Sequence, residues 1–120
     1  MKNRYRFTPF NDGYLFVTDV KKERSDFGAK QNPESRLDLD LIVKLAFRTM
    51  SARDEDLEFA QAQNRTLSMK VCTRFLPCVK KTHSVIIGNK LFSIVKLDMS
   101  KDKGEMYFYL EEEREVLCPF

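Results

Sequence analysis

A chain of 120 residues is long enough for one domain with a core able to stand alone, and too short for two domains of ordinary size. Hydrophobic residues make up 42% and charged residues 32%, which excludes the composition of a disordered chain. The formal net charge of +3, from 21 Lys and Arg against 18 Asp and Glu, is too even to indicate nucleic-acid binding by itself.

Residues 1–13 read as an amino-terminal arm, basic through Lys2, Arg4 and Arg6 and closed by the turn signal Asn11-Asp12-Gly13. Tyr14 to Val20 is rich in β-branched and aromatic residues and predicts a first strand. From Lys21 to Arg36 a single large apolar residue, Phe27, stands among charged and polar ones. This predicts a long loop, and loops beyond ~12 to 15 residues in a compact domain tend to be functional or disordered. Leu37, Leu39, Leu41, Val43, Leu45 and Phe47 then alternate with polar positions, which predicts a half-buried strand long enough to bend around a barrel. Ser51 stands three residues before Asp54 as a capping-box variant, and Asp54, Glu55 and Asp56 suit the first turn of a helix. Leu57 and Ala60, with Phe59 and Ala62 beside them, offer a narrow apolar stripe on a short helix at the domain surface, and Asn64 supplies a left-handed stop.

Leu67 to Phe75 alternates again and must end near Pro77. That alternation points Cys72 away from the core-facing set. Ser84 to Ile87 and Lys90 to Leu97 flank Gly88-Asn89, a tight hairpin signal. A polar turn from Asp98 to Glu105 precedes a last strand, Met106 to Leu110, and residues 111–120 read as an acidic tail. About six strands and one short helix in meander order predict a mainly β, single-domain fold, a small antiparallel barrel or a sandwich that shields its own edges. Ten Phe and four Tyr without Trp leave aromatic rings to fill much of the core.

No enzyme is expected. His83, the one histidine, has no nucleophile motif beside it and reads as a surface or hairpin-edge residue. Asp38 and Asp40 share the polar face of a strand, and Asp54 to Asp56 are accounted for by the helix start. Cys72, Cys78 and Cys118 are an odd set without C-x-x-C pairing, which predicts reduced thiols and neither a disulfide framework nor, with His83, a zinc site. No cofactor is expected. The start lacks the apolar h-region of a secretory signal, and no segment approaches the ~20 apolar residues of a membrane span. A soluble protein made in a cytoplasm, with no membrane partner, is the expectation. Lys70, Arg74, Lys80 and Lys81 gather at one strand end, so a small nucleic-acid-binding barrel is the rival reading, although its aromatic half is weak. The basic start and the acidic run Glu111 to Glu113 would suit head-to-tail contacts between copies, or simply two solvated ends.

The order Leu41-Ile-Val-Lys-Leu-Ala-Phe-Arg48, Ser51 to Ala62, Met69 to Phe75, Gly88-Asn-Lys-Leu-Phe-Ser-Ile94, Val95-Lys-Leu-Asp98 and Tyr107-Phe-Tyr-Leu110 resembles the head-closure family of tailed bacteriophages, also called head-tail joining or stopper proteins. The likeness runs over roughly residues 14 to 113 and departs from the commoner pattern in having no tryptophan after the first loop and a more acidic Arg53 to Asp56. It implies a barrel assembled as a ring of its own copies beneath the portal and adaptor (the connector), in a virion built in the host bacterium's cytoplasm. Such a ring closes the DNA channel after packaging and gives the tail, through its terminator protein, a platform. Carried onto this chain, adaptor and channel contacts would come from Lys21, Lys22, Arg24, Lys30 and Arg36 and from Arg53, Asp54, Glu55 and Asp56, with packaged DNA touched only non-specifically. A tail-completion protein is a further reading of the same pattern.

Overall fold

The computed structural model describes residues 10–20 and 39–116. The elements are β1 (Gly13–Val20), β2 (Leu39–Met50), α1 (Asp54–Ala62), β3 (Met69–Arg74), β4 (Ser84–Ile87), β5 (Lys90–Ser100) and β6 (Glu105–Glu115). All six strands pair antiparallel in one closed barrel, in the order β1-β2-β3-β6-β5-β4. The mainly β architecture follows the sequence; the meander does not. β3 pairs with β6 rather than with β4, and β4 returns to β1 through Phe16, Val17 and Thr18 opposite Ile86, Val85 and Ser84. Residues 75–83 carry the chain from one side of the barrel to the other, with Val79 of that segment packed into the interior. The greater part of the expected arm and the whole of the expected loop at 21–36 lie outside the described residues.

The interior is filled by the alternation that the sequence displays. Leu15 and Val17 from β1, Leu45 and Phe47 from β2, Val71 from β3, Val85 from β4, Phe92 and Ile94 from β5, and Met106, Phe108 and Leu110 from β6 form one cluster. Gly13 has a φ of +139° and lies against the Phe47 ring, where an added Cβ would stand 3.4 Å from Cε1. The Gly88-Asn89 turn is as expected, with Gly88 at φ +64°, and Asn64 closes the helix at φ +57°. Alternation fails once on β2. Val17 faces Val43 while Thr18 faces Leu41, so Ile42 is an extra residue at a bulge. Beyond it Leu39 turns into a second cluster with Ile86, Leu91 and Val116, and Leu41 stays 48% exposed.

Four local expectations are corrected, and a fifth, the outward orientation of Cys72, stands with burial added. The helix starts at Asp54 with Arg53 as its N-cap, not at Ser51, because the Asp56 carboxylate accepts the Arg53 backbone N–H at 2.9 Å. Its buried face is Asp56 and Ala60, with Leu57 and Phe59 outward. Cys72 is fully buried although it points away from the interior, because Arg48 and Tyr107 flank it on the neighbouring strands and the Arg48–Glu105 ion pair (3.2 Å) lies close by. Burial pushes its thiol up to about 11. His83 is also buried, its Nδ1 accepting the Lys80 backbone N–H at 3.1 Å while its own N–H returns to the Lys80 carbonyl at 3.0 Å. Finally, Glu111 to Glu115 continue β6 rather than forming a tail.

Two outcomes follow. Phe108→Ala, at a residue with no exposed surface, is expected to cost about 3–5 kcal/mol in urea unfolding. Iodoacetamide applied to the native protein is expected to label exposed Cys78 and spare Cys72, as read by peptide mass; labelling of Cys72 at a similar rate would contradict its burial.

Candidate functional site

The outer face of β3 and β6 is roofed by α1, and the roof is fastened by charge. Lys70 projects from β3 to the Asp56 carboxylate, Nζ to Oδ2 3.1 Å, with the two side chains only 7% and 2% exposed. The ring of Tyr109 lies below, 4.9 Å from the ammonium. Asp56 also receives the Arg53 backbone N–H and its guanidinium, NH2 to Oδ1 3.3 Å. Burial alone would raise this carboxyl's pKa; the donors from Arg53 and Lys70 outweigh it and hold the group below the usual aspartate range. An apolar contact completes the roof, where Ala60 meets Val95 and Tyr109, with Leu67 and Tyr107 packed against them.

Beside this ion pair opens a groove of about 470 Å³ lined by Met50, Ser51, Arg53, Lys70, Asp98, Met99, Tyr107 and Tyr109. The hydroxyl of Tyr109 donates to Asp98 at 3.2 Å and that of Tyr107 to Glu105 at 3.0 Å. Burial first, then the hydrogen bond to Glu105, pushes Tyr107 up to about 12. Its polar groups are therefore mostly committed to one another. Among the described residues, no cluster of three or more His, Cys, Asp or Glu is arranged to hold a metal ion, and no helix is long and apolar enough to cross a membrane.

Of the residues singled out from the sequence, Lys21, Lys22, Arg24, Lys30 and Arg36 lie outside the described residues. The four at the start of α1 divide. Arg53, Asp54 and Glu55 face solvent, with the Arg53 guanidinium shared between Glu55 (4.0 Å) and Asp56 (3.3 Å), whereas Asp56 is an internal clasp and offers nothing to a partner. Lys70, counted among the basic residues of a nucleic-acid surface, is withdrawn into the same clasp. A lysine between Met69 and Val71 in an alternating strand reads as solvent-facing; the partner that buries it comes from the helix.

The acidic run on β6 is likewise spent internally. Glu111 accepts the Thr66 backbone N–H at 3.0 Å and the Arg65 guanidinium at 2.9 Å, contacts that in that order hold its carboxyl below the usual glutamate range. Glu112 meets Lys90 at 3.4 Å and Glu113 accepts the Ser93 hydroxyl at 2.7 Å. Arg65 further reaches the Ser93 hydroxyl and, at 3.4 Å, the carbonyl of Ile94, where β5 bulges at Val95. Charge reversal at Glu111 to Glu113 would thus strike the fold before any contact between copies.

The basic excess is unevenly placed. The described residues hold 13 Lys and Arg against 14 Asp and Glu, a net of −1, which leaves 8 against 4 for the rest of the chain. Residues 1–9 carry three of those basic groups and no acidic one. No protein-family profile matches the chain, and no curated protein sequence matches it.

Asp56→Asn is expected to cost about 3–5 kcal/mol by stranding a buried ammonium, whereas Asp56→Leu with Lys70→Met stays within about 1–2 kcal/mol of the parent. The sign with pH follows from the lowered carboxyls of Asp56 and Glu111. Their contribution is complete above about pH 4, the unfolded range, and is lost as pH falls through the lower folded values. Urea unfolding from pH 6 down to pH 2 should therefore show a smaller acid loss in Asp56→Asn than in the parent; equal slopes would remove the clasp from the explanation.

Proposed function

We propose that copies of this barrel form a ring beneath the portal and adaptor of a tailed bacteriophage, closing the DNA channel after packaging and offering the tail and its terminator protein a docking platform. The role is structural and non-enzymatic, exercised at the head-tail interface of the virion. The observation that carries it is the succession of elements: a strand, a long intervening segment, a long strand, a short acidic-fronted helix, a strand, a tight hairpin and a last strand, closed into one six-stranded barrel. That succession is the one the resemblance implies.

Under this reading the barrel is a nearly neutral scaffold and the segments that leave it do the contacting. Arg53, Asp54 and Glu55 form the exposed edge that meets the adaptor, set in place by Asp56. Lys21, Lys22, Arg24, Lys30 and Arg36 lie in the segment between β1 and β2, at the channel, where their phosphate contacts position DNA without reading its sequence.

One observation favours a second reading, a single-strand-binding barrel. Tyr14 is 57% exposed on β1, and the Lys44 ammonium of β2 stands 4.4 Å from its ring centre, an aromatic and a cation of the kind that stack and steer single strands.

The discriminating experiment takes filled, tailless heads lacking this protein and measures nuclease sensitivity of their DNA with and without its addition. Retention that depends on the added protein is the expected result. Equal leakage in both arms, with tight binding of the protein to free single-stranded DNA at physiological salt, would replace head closure with the second reading.

A further inference from the structure

Two connections at one end of the barrel carry cations that the fold does not use. Antiparallel pairing brings the end of β3, the start of β4 and the β5–β6 turn to the same end. Arg74 closes β3 opposite Glu105, and the next residue, Phe75, donates its backbone N–H to the Gly104 carbonyl at 2.8 Å, which ties the 75–83 crossover to the turn at 101–104. Arg74, Lys80, Lys81, Lys101 and Lys103 are all exposed, and none of the five has an ion pair among the described residues. Residues 74–83 and 101–104 hold these five against one acidic residue, Asp102, a net of +4, whereas the rest of the described residues hold 8 Lys and Arg against 13 Asp and Glu, a net of −5. The barrel is neutral only as the sum of a basic end and an acidic remainder. Lys70 leaves the basic group read from the sequence, and Lys101 and Lys103, remote along the chain, join it.

The turns that carry these cations are fixed from within. Val79 is 2% exposed in the interior cluster, and His83, also buried, holds Lys80 through both of its backbone hydrogen bonds. Lys80 and Lys81 therefore project from a turn anchored by a buried residue on either side. In the other connection Gly104, at φ +67°, donates its N–H to the Lys101 carbonyl at 3.2 Å. Like charges gathered in this way repel one another, and no internal carboxylate offsets the repulsion.

We propose that this end binds the phosphate backbone of duplex DNA without reading its sequence. Four ammonium groups and a guanidinium, held apart from carboxylates, match a row of phosphates and position a duplex without specifying its bases. The two connections offer no stacking platform for unpaired bases, because Phe75, their one Phe, Tyr or Trp, packs against the interior cluster. A duplex, with one charge per about 1.7 Å of its axis, presents the denser array to cations that act by charge alone. The inference goes beyond the ring reading and does not rest on it; in a ring, it turns this end toward the channel.

The test measures binding of the full chain to fluorescently labelled duplexes of two unrelated sequences across a range of salt concentrations. Three variants are compared with the parent: Lys80→Gln with Lys81→Gln, Lys101→Gln with Lys103→Gln, and both pairs together with Arg74→Gln. The parent is expected to bind both sequences alike. The plot of log affinity against log salt should become shallower by about 2 for each pair and by about 4 to 5 for the five-fold variant. Thermal unfolding should be no lower in the variants, since no internal contact is lost, and the two pairs carry the test if the five-fold variant does not fold. Unchanged slopes, no binding by the parent at the lowest salt, or tighter binding to single strands of the same length overturns the inference. So does loss of self-association in the variants with DNA binding intact, which would assign this end to an acidic face of a second copy. The ring reading fails separately: filled heads closed equally well by parent and five-fold variant, with unchanged slopes, keep the ring and sink this end, while slopes that depend on the five cations in a protein that leaves head DNA open to nuclease keep this end and sink the ring.

Discussion

The fold depends on a short seam. Only Phe16, Val17 and Thr18 of β1 pair with Ile86, Val85 and Ser84 of β4, yet without this pairing both strands would be edges and the interior would open to water. The seam is reinforced by side chains: Leu15, Val17, Thr18, Val85 and Ile86 have no exposed surface, and the Thr18 hydroxyl donates to the Ser84 carbonyl at 3.3 Å. Closing a sheet of six strands demands strong twist and curvature. Register shifts supply it, at Val17/Thr18 against β2 and at Leu91/Phe92 and Ile94/Lys96 between β5 and β6. Each shift leaves backbone groups displaced from the ladder, and at one of them Arg65 brings a guanidinium to the Ile94 carbonyl. The curvature that closes the barrel thus creates the need that the α1–β3 connection meets.

That connection and the helix before it form a second layer held by a different physics. Inside, apolar area does the work; outside, α1 offers only Ala60 to the apolar contact and fastens through Asp56 to Lys70. An ion pair this buried adds little net stability over an apolar pair of equal size, since the desolvation of both charges offsets their attraction. What it contributes is position, because a lysine on β3 can meet Asp56 only if α1 starts at one place and lies one way. The acidic run on β6 behaves similarly, with Glu111 fixing Arg65 and Thr66. The outer layer is therefore the acid-sensitive part of a barrel whose interior is indifferent to pH.

Legibility in the sequence divides along the same line. Period-two alternation and Gly88-Asn89 reveal the strands and the hairpin, because each is decided within a few residues. The topology was not legible: nothing local distinguishes β3 pairing with β4 from β3 pairing with β6. The bulge at Ile42 defeated the alternation of β2, sending Leu41 outward and Leu39 into a different cluster. Lys70 was misplaced because a strand's outer face is solvent only if nothing covers it, and its cover comes from α1; His83 was misplaced because the turn from Lys80 folds back onto it, while Cys72 points outward as the alternation predicts but is covered by its neighbours on β2 and β6. The start of α1 was found by its acidic residues, but the distinction between Asp54, which faces water, and Asp56, which faces Lys70, needed the helix phase. Gly88, in contrast, was read correctly because a positive φ in a two-residue turn is a local demand.

The charge partition links these layers to function. Within the described residues, Arg48, Arg53, Arg65, Lys70, Lys90 and Lys96 each meet a carboxylate on the same barrel. At these six of the thirteen described cations, phosphate would have to displace an intramolecular partner before it released any counterion. The positive excess of the chain is carried instead by residues 1–9 and 21–38, which flank β1 on either side in sequence. A neutral, closed body with basic segments leading into and out of its first strand is suited to building contacts outward from itself.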